Sequence, residues 1–586
     1  MTKPLHTVAA ESLKKNDEQL EAYESKGNCV VLAGPGAGKT KAMTIKLAQL
    51  LEEEVRAPQR LACITYSNAC VSEIRGRLKK LGVAEDSRLL LATVHSFCLT
   101  QLVLPYARLA GLEVPDPLVV ASPTQSRQLF EKAHLKTLGS PAPKWFRIES
   151  DKLRRTIVDQ GSKEWKNWKG LEPSVVEAYQ RLLLDNGMID FDGIVLTALR
   201  LIEGHKWVRQ CIRAKFPIIV IDEYQDLGLS LHRIVLALMN DAGVKIIAVG
   251  DPDQSIYGFT GAQPWLLKEL AGRANVDAVR LKLNYRCGDQ IIAASKTLLP
   301  DPAEFKSHDG RKGTILFYQL GCDARGQAEY ALETLVPTLL KENVKWKPGD
   351  IAVLYRTLNE GNSAAAAADK LGYEYFRLDN GSPIKRTRMN EWLTDCARWC
   401  AGGWESGAVT LGKILKGWRG LRRSLTRESD VLAMRARLIS FLFATRDGTM
   451  SLQKWLAGIS EVCVNDIFTE EPGLGDEEEN FDELQEAAKS GGKLAEYTVE
   501  TFGNQGRRPE QINLMTLHSS KGLEFQAVIM INLEEGAIPS TYEKTKEAVE
   551  EARRLFYVGL TRAMNSVHLL YAFNESPFVA QVRKAI

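Results

Sequence analysis

Apolar positions along the chain follow two recurring patterns. Short runs rich in β-branched residues alternate with longer stretches in which apolar residues return every three or four places. The first such run is 28–33 (NCVVLA); GPGAGKT follows at once, then a helical pattern, AMTIKLAQLLEEEV. Further strand-like runs stand at 61–66 (LACITY), 89–94 (LLLATV), 216–222 (FPIIVID) and 244–251 (VKIIAVGD), each followed by a polar turn and a helical stretch. Parallel strands need crossovers of this kind, so the pattern predicts an α/β fold with a parallel, doubly wound sheet. A second set, at 350–356 (DIAVLYR), 512–517 (INLMTL), 526–533 (QAVIMINL) and 566–572 (SVHLLYA), predicts a second core of the same class.

The stretches between these sets differ in kind. Residues 100–213 are helix-like and rich in Lys, Arg and Trp, and 383–508 are helix-like with a basic part, 413–427, followed by an acidic part, 470–486. The acidic part lies in a run from 455 to 488 without Lys or Arg, and its Pro and Gly predict a solvated loop. No internal repeat of fixed period is found. The expected organisation is a first core over 1–99 and 214–280 with a helical insertion at 100–213. A second core over 281–382 and 509–586 carries a helical insertion at 383–508, with the acidic loop 470–486 inside it.

Composition narrows the function classes. The 586 residues are 45% hydrophobic and 25% charged, which excludes a mainly disordered or collagen-like chain. Lys and Arg number 76 against 73 acids, a net charge of +3, so contact with nucleic acid has to come from local patches. No run of apolar residues is long enough to span a membrane, and the opening residues lack the apolar core of a signal peptide; the expectation is a cytoplasmic protein with no membrane partner. Of ten cysteines only Cys396 and Cys400 are close, a weak metal signal against which free thiols in a reducing compartment are the plainer account. Two basic segments, 152–170 and 413–427, interleave cations with Trp165, Trp168 and Trp418. They read equally as a duplex grip, with cations on phosphates and rings on bases, or as charged helix faces anchored inward by their tryptophans.

AGPGAGKT (33–40) has the phosphate-loop pattern, with Ala33 in the first glycine position, between a predicted strand and helix. Its glycines let backbone N–H groups converge on phosphate oxygens at a helix N-terminus. Lys39 is expected to neutralise the β- and γ-phosphates, and Thr40 to offer its hydroxyl to Mg²⁺. The strand-end acids of 216–226 (FPIIVIDEYQD) supply the other half: Asp222 to hold Mg²⁺ and Glu223 to orient or deprotonate the attacking water.

Further blocks make the reading specific. They are TYSNACVSEI (65–74), TVHSF (93–97), DFD (190–192), DEYQD (222–226), GDPDQSIYGFTGA (250–262), LNYRC (283–287), DIAVLYR (350–356), MTLHSSKGLEF (515–525) and EEARRLFYVGLTRA (550–563). With these, the chain resembles the UvrD/PcrA/Rep family of superfamily 1A DNA helicases, in the family's order from residue 19 to about residue 572. The resemblance implies two RecA-like cores that close on Mg²⁺-ATP. It places Gln19 on the adenine edge and Tyr285 on its face. Ala33, Gly34, Pro35, Gly36, Ala37, Gly38, Lys39, Thr40 and Lys41 lie along the nucleotide, with Glu524 near the ribose. Gln254 is implied as the γ-phosphate sensor, and Arg286 and Arg562 as arginine fingers.

The same resemblance implies a track for single-stranded DNA, with stacking from Tyr257, Phe259, Phe97 and Phe191. Polar contacts come from Thr65, Ser67, Asn68 and His95 in the first core and from Thr516 and His518 in the second. Four departures stand out. Thr260 replaces a usual Arg, Ala69 a usual Lys, the second insertion is short, and the long C-terminal tail that some members use for docking partners has no counterpart. The expected activity is 3′-to-5′ translocation on single-stranded DNA and at single-strand/duplex junctions, with duplex unwinding, in DNA repair, replication or anti-phage defence. The alternative is a DNA-stimulated regulatory ATPase that signals to a protein partner such as a nuclease. A fused nuclease would need its own acidic-Lys cluster, which the chain lacks, and RNA stays open as a substrate because stacking does not reject a 2′-hydroxyl.

Overall fold

The computed structural model describes residues 5–586 apart from 84–85, 169–171, 259–260, 300–304, 380, 383, 386, 408, 423–426, 472–473 and 505–507. Its framework is two six-stranded sheets. In the first, the strands run in the order Leu89–Thr93, Leu61–Thr65, Ile218–Ile221, Lys245–Gly250, Asn28–Ala33, Val276–Leu281, every pair parallel. Strands covered on both faces cannot alternate polar with apolar. Leu61–Thr65 and Ile218–Ile221 are accordingly buried at every position. Of the two edge strands, Val276–Leu281 alternates and carries Asp277 and Arg280, which is why no apolar run marks it in the sequence.

The second sheet runs Thr314–Gln319, Ala563–Tyr571, Phe525–Met530, Ile351–Tyr355, Ile512–Thr516, Tyr375–Leu378. The fold is α/β with two parallel sheets flanked by helices, as two RecA-like cores require. In the first sheet the phosphate loop leaves the C-terminal end of Asn28–Ala33 and Asp222 follows the C-terminal end of Ile218–Ile221. That edge is where open α/β sheets place their ligands.

By contacts the chain divides into two compact units. One takes in Met1–Val119, Leu129–Gly372 and Leu514–Ile586, and the other Val120–Gln128 and Tyr373–Asn513. The second unit has its own apolar core, built around Trp392, Trp399, Trp418, Trp455, Phe481 and Phe502. Within it, the acidic segment is not the expected solvated loop. Its residues 475–486 lie in the helix Gly475–Ala488, which buries Phe481, Leu484 and Ala488. Those three recur at helical spacing, and Asp476, Glu477 and Glu478 in the first turn complement the positive end of the helix dipole.

Two tryptophans of the basic segments are anchors. Trp165 and Trp418 are 1% and 2% exposed, so both are anchors of their helices rather than stacking platforms, and Trp168 is half-buried. Parts of both segments, 169–170 and 423–426, lie outside the described residues. All ten cysteines are free, and Cys396 and Cys400 are buried in the apolar core of the second unit. No helix among the described residues is long and apolar enough to cross a membrane.

Candidate nucleotide and nucleic-acid site

The phosphate loop is shaped by residues without side chains. Gly36 and Gly38 have φ of +65° and +78°, in the left-handed region that costs glycine nothing. A Cβ on Gly36 would stand 2.6 Å from the Arg286 Cβ, and one on Gly38 would stand 2.5 Å from the Gln19 amide nitrogen. Pro35 is buried, Ala33 and Ala37 are 3% and 1% exposed, and Thr40 is half-buried in the first turn of the helix Lys39–Glu53. Lys41, one residue on, is exposed.

Opposite the loop, Asp222 is 5% exposed and its Oδ1 accepts the Glu223 N–H at 3.0 Å. Glu223 has φ +53°, a rare conformation for a residue with a side chain. Its carboxylate lies 3.8 Å from Lys39 Nζ and accepts a short hydrogen bond from the Gln225 amide. Gln19 donates to the Ala37 carbonyl at 2.9 Å, so its amide sits against the loop.

Arg562, immediately before the second sheet's strand Ala563–Tyr571, and the segment after Leu283–Asn284 bring the remaining groups. Arg562, 1% exposed, donates to Gln254 Oε1 at 3.0 Å and to the Val558 carbonyl at 2.9 Å. Arg286 pairs with Glu524 at 3.0 Å, and the Tyr285 backbone N–H donates to Gly36 at 2.9 Å. The Tyr285 hydroxyl accepts from Asn16 at 3.0 Å. The structure thus brings Gln19, Lys39, Glu223, Gln254, Tyr285, Arg286 and Arg562 onto one cleft between the two sheets.

Charge in the cleft is unevenly matched, and Arg562 is the group that a phosphate would relieve. Burial works against the Lys39 ammonium, but Glu223, Asp251 and Asp222 outweigh it and hold its pKa above the ordinary value. Burial, then the neighbouring Glu223 charge, raises the Asp222 pKa. Burial opposes the Glu223 charge too, yet Lys39 and Lys521 keep that carboxylate ionised. Burial and the Arg286 charge both bear against Arg562, whose hydrogen bonds among the described residues go only to neutral oxygens. The residues therefore fit a triphosphate. The loop presents backbone N–H groups at a helix N-terminus, and an ammonium and two guanidiniums supply the counter-charge.

Four further residues stand at the cleft, two of them, Tyr66 and Lys521, inside blocks of the resemblance but without an expected role. Lys521 donates to Asp226 at 2.6 Å and to the Gln254 carbonyl at 2.8 Å, and its ammonium stands 5.1 Å from the Tyr257 ring centre. The Phe305 ring lies directly over Gly34, and His308 packs on Tyr285 with ring centres 4.4 Å apart. Tyr66 stacks on Tyr257 at 5.3 Å with the planes within 18°.

That stack begins the expected nucleic-acid track. His518 adjoins it, 6.4 Å from Tyr257, and burial lowers its pKa to about 4, so it is neutral. Ser67 caps the helix Asn68–Lys80, Asn68 is exposed at its start, and the Thr516 hydroxyl donates to Ser519 at 2.8 Å. Phe191 is 50% exposed with His95 edge-on at 5.2 Å, and burial keeps the His95 pKa below its ordinary value. Phe191 is held up by ion pairs on both sides, Arg154 to Asp190 at 2.5 Å and Arg155 to Asp192 at 2.7 Å. Two expected members are not on the surface. Phe97 is 1% exposed and packs on Phe216 at 5.7 Å, which makes it core rather than track, and Thr65 is likewise buried. Phe259 and Thr260 lie outside the described residues.

Comparison with known proteins agrees with this geometry. The UvrD/REP helicase N-terminal domain matches residues 15–275, and the UvrD-like helicase C-terminal domain matches residues 474–574. The ATP-dependent DNA helicase Rep of Escherichia coli (strain K12) is 27% identical, over 95% of this chain and 90% of its own length. The ATP-dependent DNA helicase PcrA of Bacillus subtilis (strain 168) is 26% identical, over 97% of this chain and 82% of its own. Rep of Buchnera aphidicola is 24% identical, over 96% of this chain and 95% of its own. The two matched domains together take in more than half of the chain and hold both walls of the cleft, and on that evidence the chain belongs to the UvrD/Rep helicase family.

Proposed function

We propose that this protein is an ATP-dependent DNA helicase that moves 3′ to 5′ along single-stranded DNA. The observation that supports it most directly is the convergence of Arg286 and Arg562, from the second core, on a phosphate loop in the first. In this reading 1–99 with 214–280 and 281–382 with 509–586 are the two cores, and 100–213 and 383–508 are their insertions.

The bound Mg²⁺-ATP supplies the phosphoanhydride bond whose hydrolysis drives the motor. Lys39 and the loop N–H groups bind the phosphates, while Asp222 and the Thr40 hydroxyl are hard oxygen donors suited to Mg²⁺. Gln19 reads the adenine edge, Tyr285 takes its face, and Glu524 approaches the ribose. Glu223 takes the proton from the attacking water, and Gln254 senses the γ-phosphate. Arg286 and Arg562 neutralise the charge that develops there. Because these groups come from two sheets, hydrolysis and release loosen the cleft, and alternating grip moves the strand.

On the DNA side, Tyr257 and Phe191 offer stacking faces, with Phe259 assigned there from the sequence alone. Ser67, Asn68, His95, Thr516 and His518 are small polar groups at hand for phosphate and sugar. The test is steady-state ATP hydrolysis with and without single-stranded DNA, with Lys39→Ala as the blank, followed by displacement on duplexes with a 3′ or a 5′ tail. We expect strong stimulation, lost in the blank, and displacement from the 3′ tail only. Hydrolysis indifferent to DNA would overturn the motor reading. Stimulation without displacement from either tail would make the chain a regulatory ATPase that signals to a partner such as a nuclease.

A further inference from the structure

We infer that His232 is a positioning residue for ATP hydrolysis: through the Tyr224 hydroxyl it fixes the strained turn that carries Glu223. The inference rests on the proposed role of Glu223 as the group that activates water. It starts from the backbone of that residue, whose φ of +53° is one that a residue with a Cβ holds only where its surroundings enforce it.

The neighbour on the chain supplies the enforcement. Tyr224 is 0% exposed, and its hydroxyl lies 2.8 Å from His232 Nδ1 with the two rings edge-on at 81°. On the far side of the imidazole, Nε2 lies 3.1 Å from Glu269 Oε2. Glu269 in turn accepts from Arg273 at 2.6 Å. The groups sit on separate elements: His232 in the helix Leu229–Ala242, Glu269 in the helix Trp265–Ala271, and Tyr224 in the single turn Tyr224–Asp226.

One protonation state serves the whole series. A neutral imidazole with its proton on Nε2 leaves Nδ1 bare to accept the Tyr224 O–H, while Nε2 stays beside the Glu269 carboxylate. Burial favours that neutral form, holding the His232 pKa below its ordinary value against the pull of Glu269. Slack in the turn is limited from the other side as well. A Cβ on Gly250 would stand 3.3 Å from the Tyr224 nitrogen and 2.8 Å from the Leu267 side chain, so strand and turn are in close contact. The Gln225 amide oxygen accepts the Asp251 N–H at 2.9 Å. Only the tyrosine end of the turn depends on a histidine.

If the Tyr224 hydroxyl loses its partner, the turn loses one of its restraints and the Glu223 carboxylate is held less firmly in place. The phosphate loop and Gln19 stay where they are. The effect should therefore fall on turnover and spare nucleotide binding. The experiment measures kcat and KM for ATP under saturating single-stranded DNA, with thermal midpoints, for Tyr224→Phe, His232→Ala, His232→Asn and Glu223→Gln. Tyr224→Phe and His232→Ala should each lower kcat about tenfold, the size expected for one buried hydrogen bond, with KM within about twofold. His232→Asn, which restores an acceptor near Nδ1, should recover most of the loss. The double variant Tyr224→Phe/His232→Ala should be no worse than either single one. Tyr224→Phe changes one oxygen and keeps the packing, so it reads the relay even where His232→Ala is unstable. Wild-type kcat in Tyr224→Phe, or a raised KM with kcat intact, would overturn the relay. Were Glu223→Gln still to hydrolyse ATP, the role of Glu223 would fall and the relay with it. Were it inactive beside normal Tyr224 and His232 variants, the relay alone would fall.

Discussion

Arg562 holds a positive charge where water does not reach, 1% exposed and beside the like charge of Arg286. Such a group is costly until an anion arrives, and a desolvated guanidinium then counts for far more than one in solvent. In the proposed mechanism, Arg562→Ala should keep nucleotide binding and lose about 10³–10⁵ in kcat, the range of an arginine finger. A fluorescent ATP analogue measures the first quantity and steady-state hydrolysis the second; a variant that fails to bind but turns over normally at saturation would refute the assignment. On the DNA side, Tyr257→Ala and Tyr66→Ala should each weaken single-strand binding by about 1–3 kcal/mol, the worth of one base stack. Because the two rings stack on each other, the double variant should lose less than the sum, which fluorescence titration can measure. Lys39, Asp222 and Glu223 are legible in the sequence because their local patterns name their chemistry. Lys521 is not, since a lysine in a turn reads as solvated until the fold carries it to Asp226, 295 positions away.

At the level of elements, an apolar run marks a strand in the first sheet wherever it occurs, but its absence does not exclude one. The runs at 28–33, 61–66, 89–94, 216–222 and 244–251 all contain strands of the first sheet, whereas the alternating edge strand Val276–Leu281 carries no such run. Charge misleads in the opposite direction. The acidic stretch around 475–486 reads as solvent-bound because its acids outnumber its apolar residues, but three well-spaced apolar positions are enough to seat a helix. Trp418 makes the same point from the basic side, and its replacement can be tested. Trp418→Ala should cost about 3–5 kcal/mol in stability and leave duplex affinity unchanged, since the ring is core. An intact fold with weakened DNA binding would return the duplex-grip reading.

The strand Ala563–Tyr571 carries a second test, His568. Its Nδ1 lies 3.0 Å from the Tyr318 hydroxyl, and burial lowers its pKa to about 4. A histidine held neutral in the fold contributes stability that is complete above its unfolded pKa of 6.5 and is lost as pH falls from there toward 4. Between about pH 7.5 and about pH 5 that loss comes to roughly 2 kcal/mol. His568→Gln should therefore show a smaller fall in stability over that interval, and an equal fall would refute the account.

For the molecule as a whole, the distribution of the site between the two compact units has a thermodynamic consequence. Gln19, Lys39, Glu223, Gln254, Tyr285, Arg286, Lys521 and Arg562 all belong to the first unit, although they span most of the chain. The second unit has a core of its own, with Trp455 and Phe502 each 0% exposed. A ligand that binds only the folded form of one unit stabilises that unit by about 2.7 kcal/mol at a hundredfold excess over Kd, and does nothing for a unit it does not bind. Scanning calorimetry with a slowly hydrolysed ATP analogue should accordingly raise the transition of the first unit and leave that of the second in place. Trp418→Ala should do the reverse, lowering the second transition alone. The two perturbations together identify which transition is which without cutting the chain. A single transition that moves as a whole under both would show that the units unfold as one cooperative body and that nucleotide energy reaches the second unit through the fold.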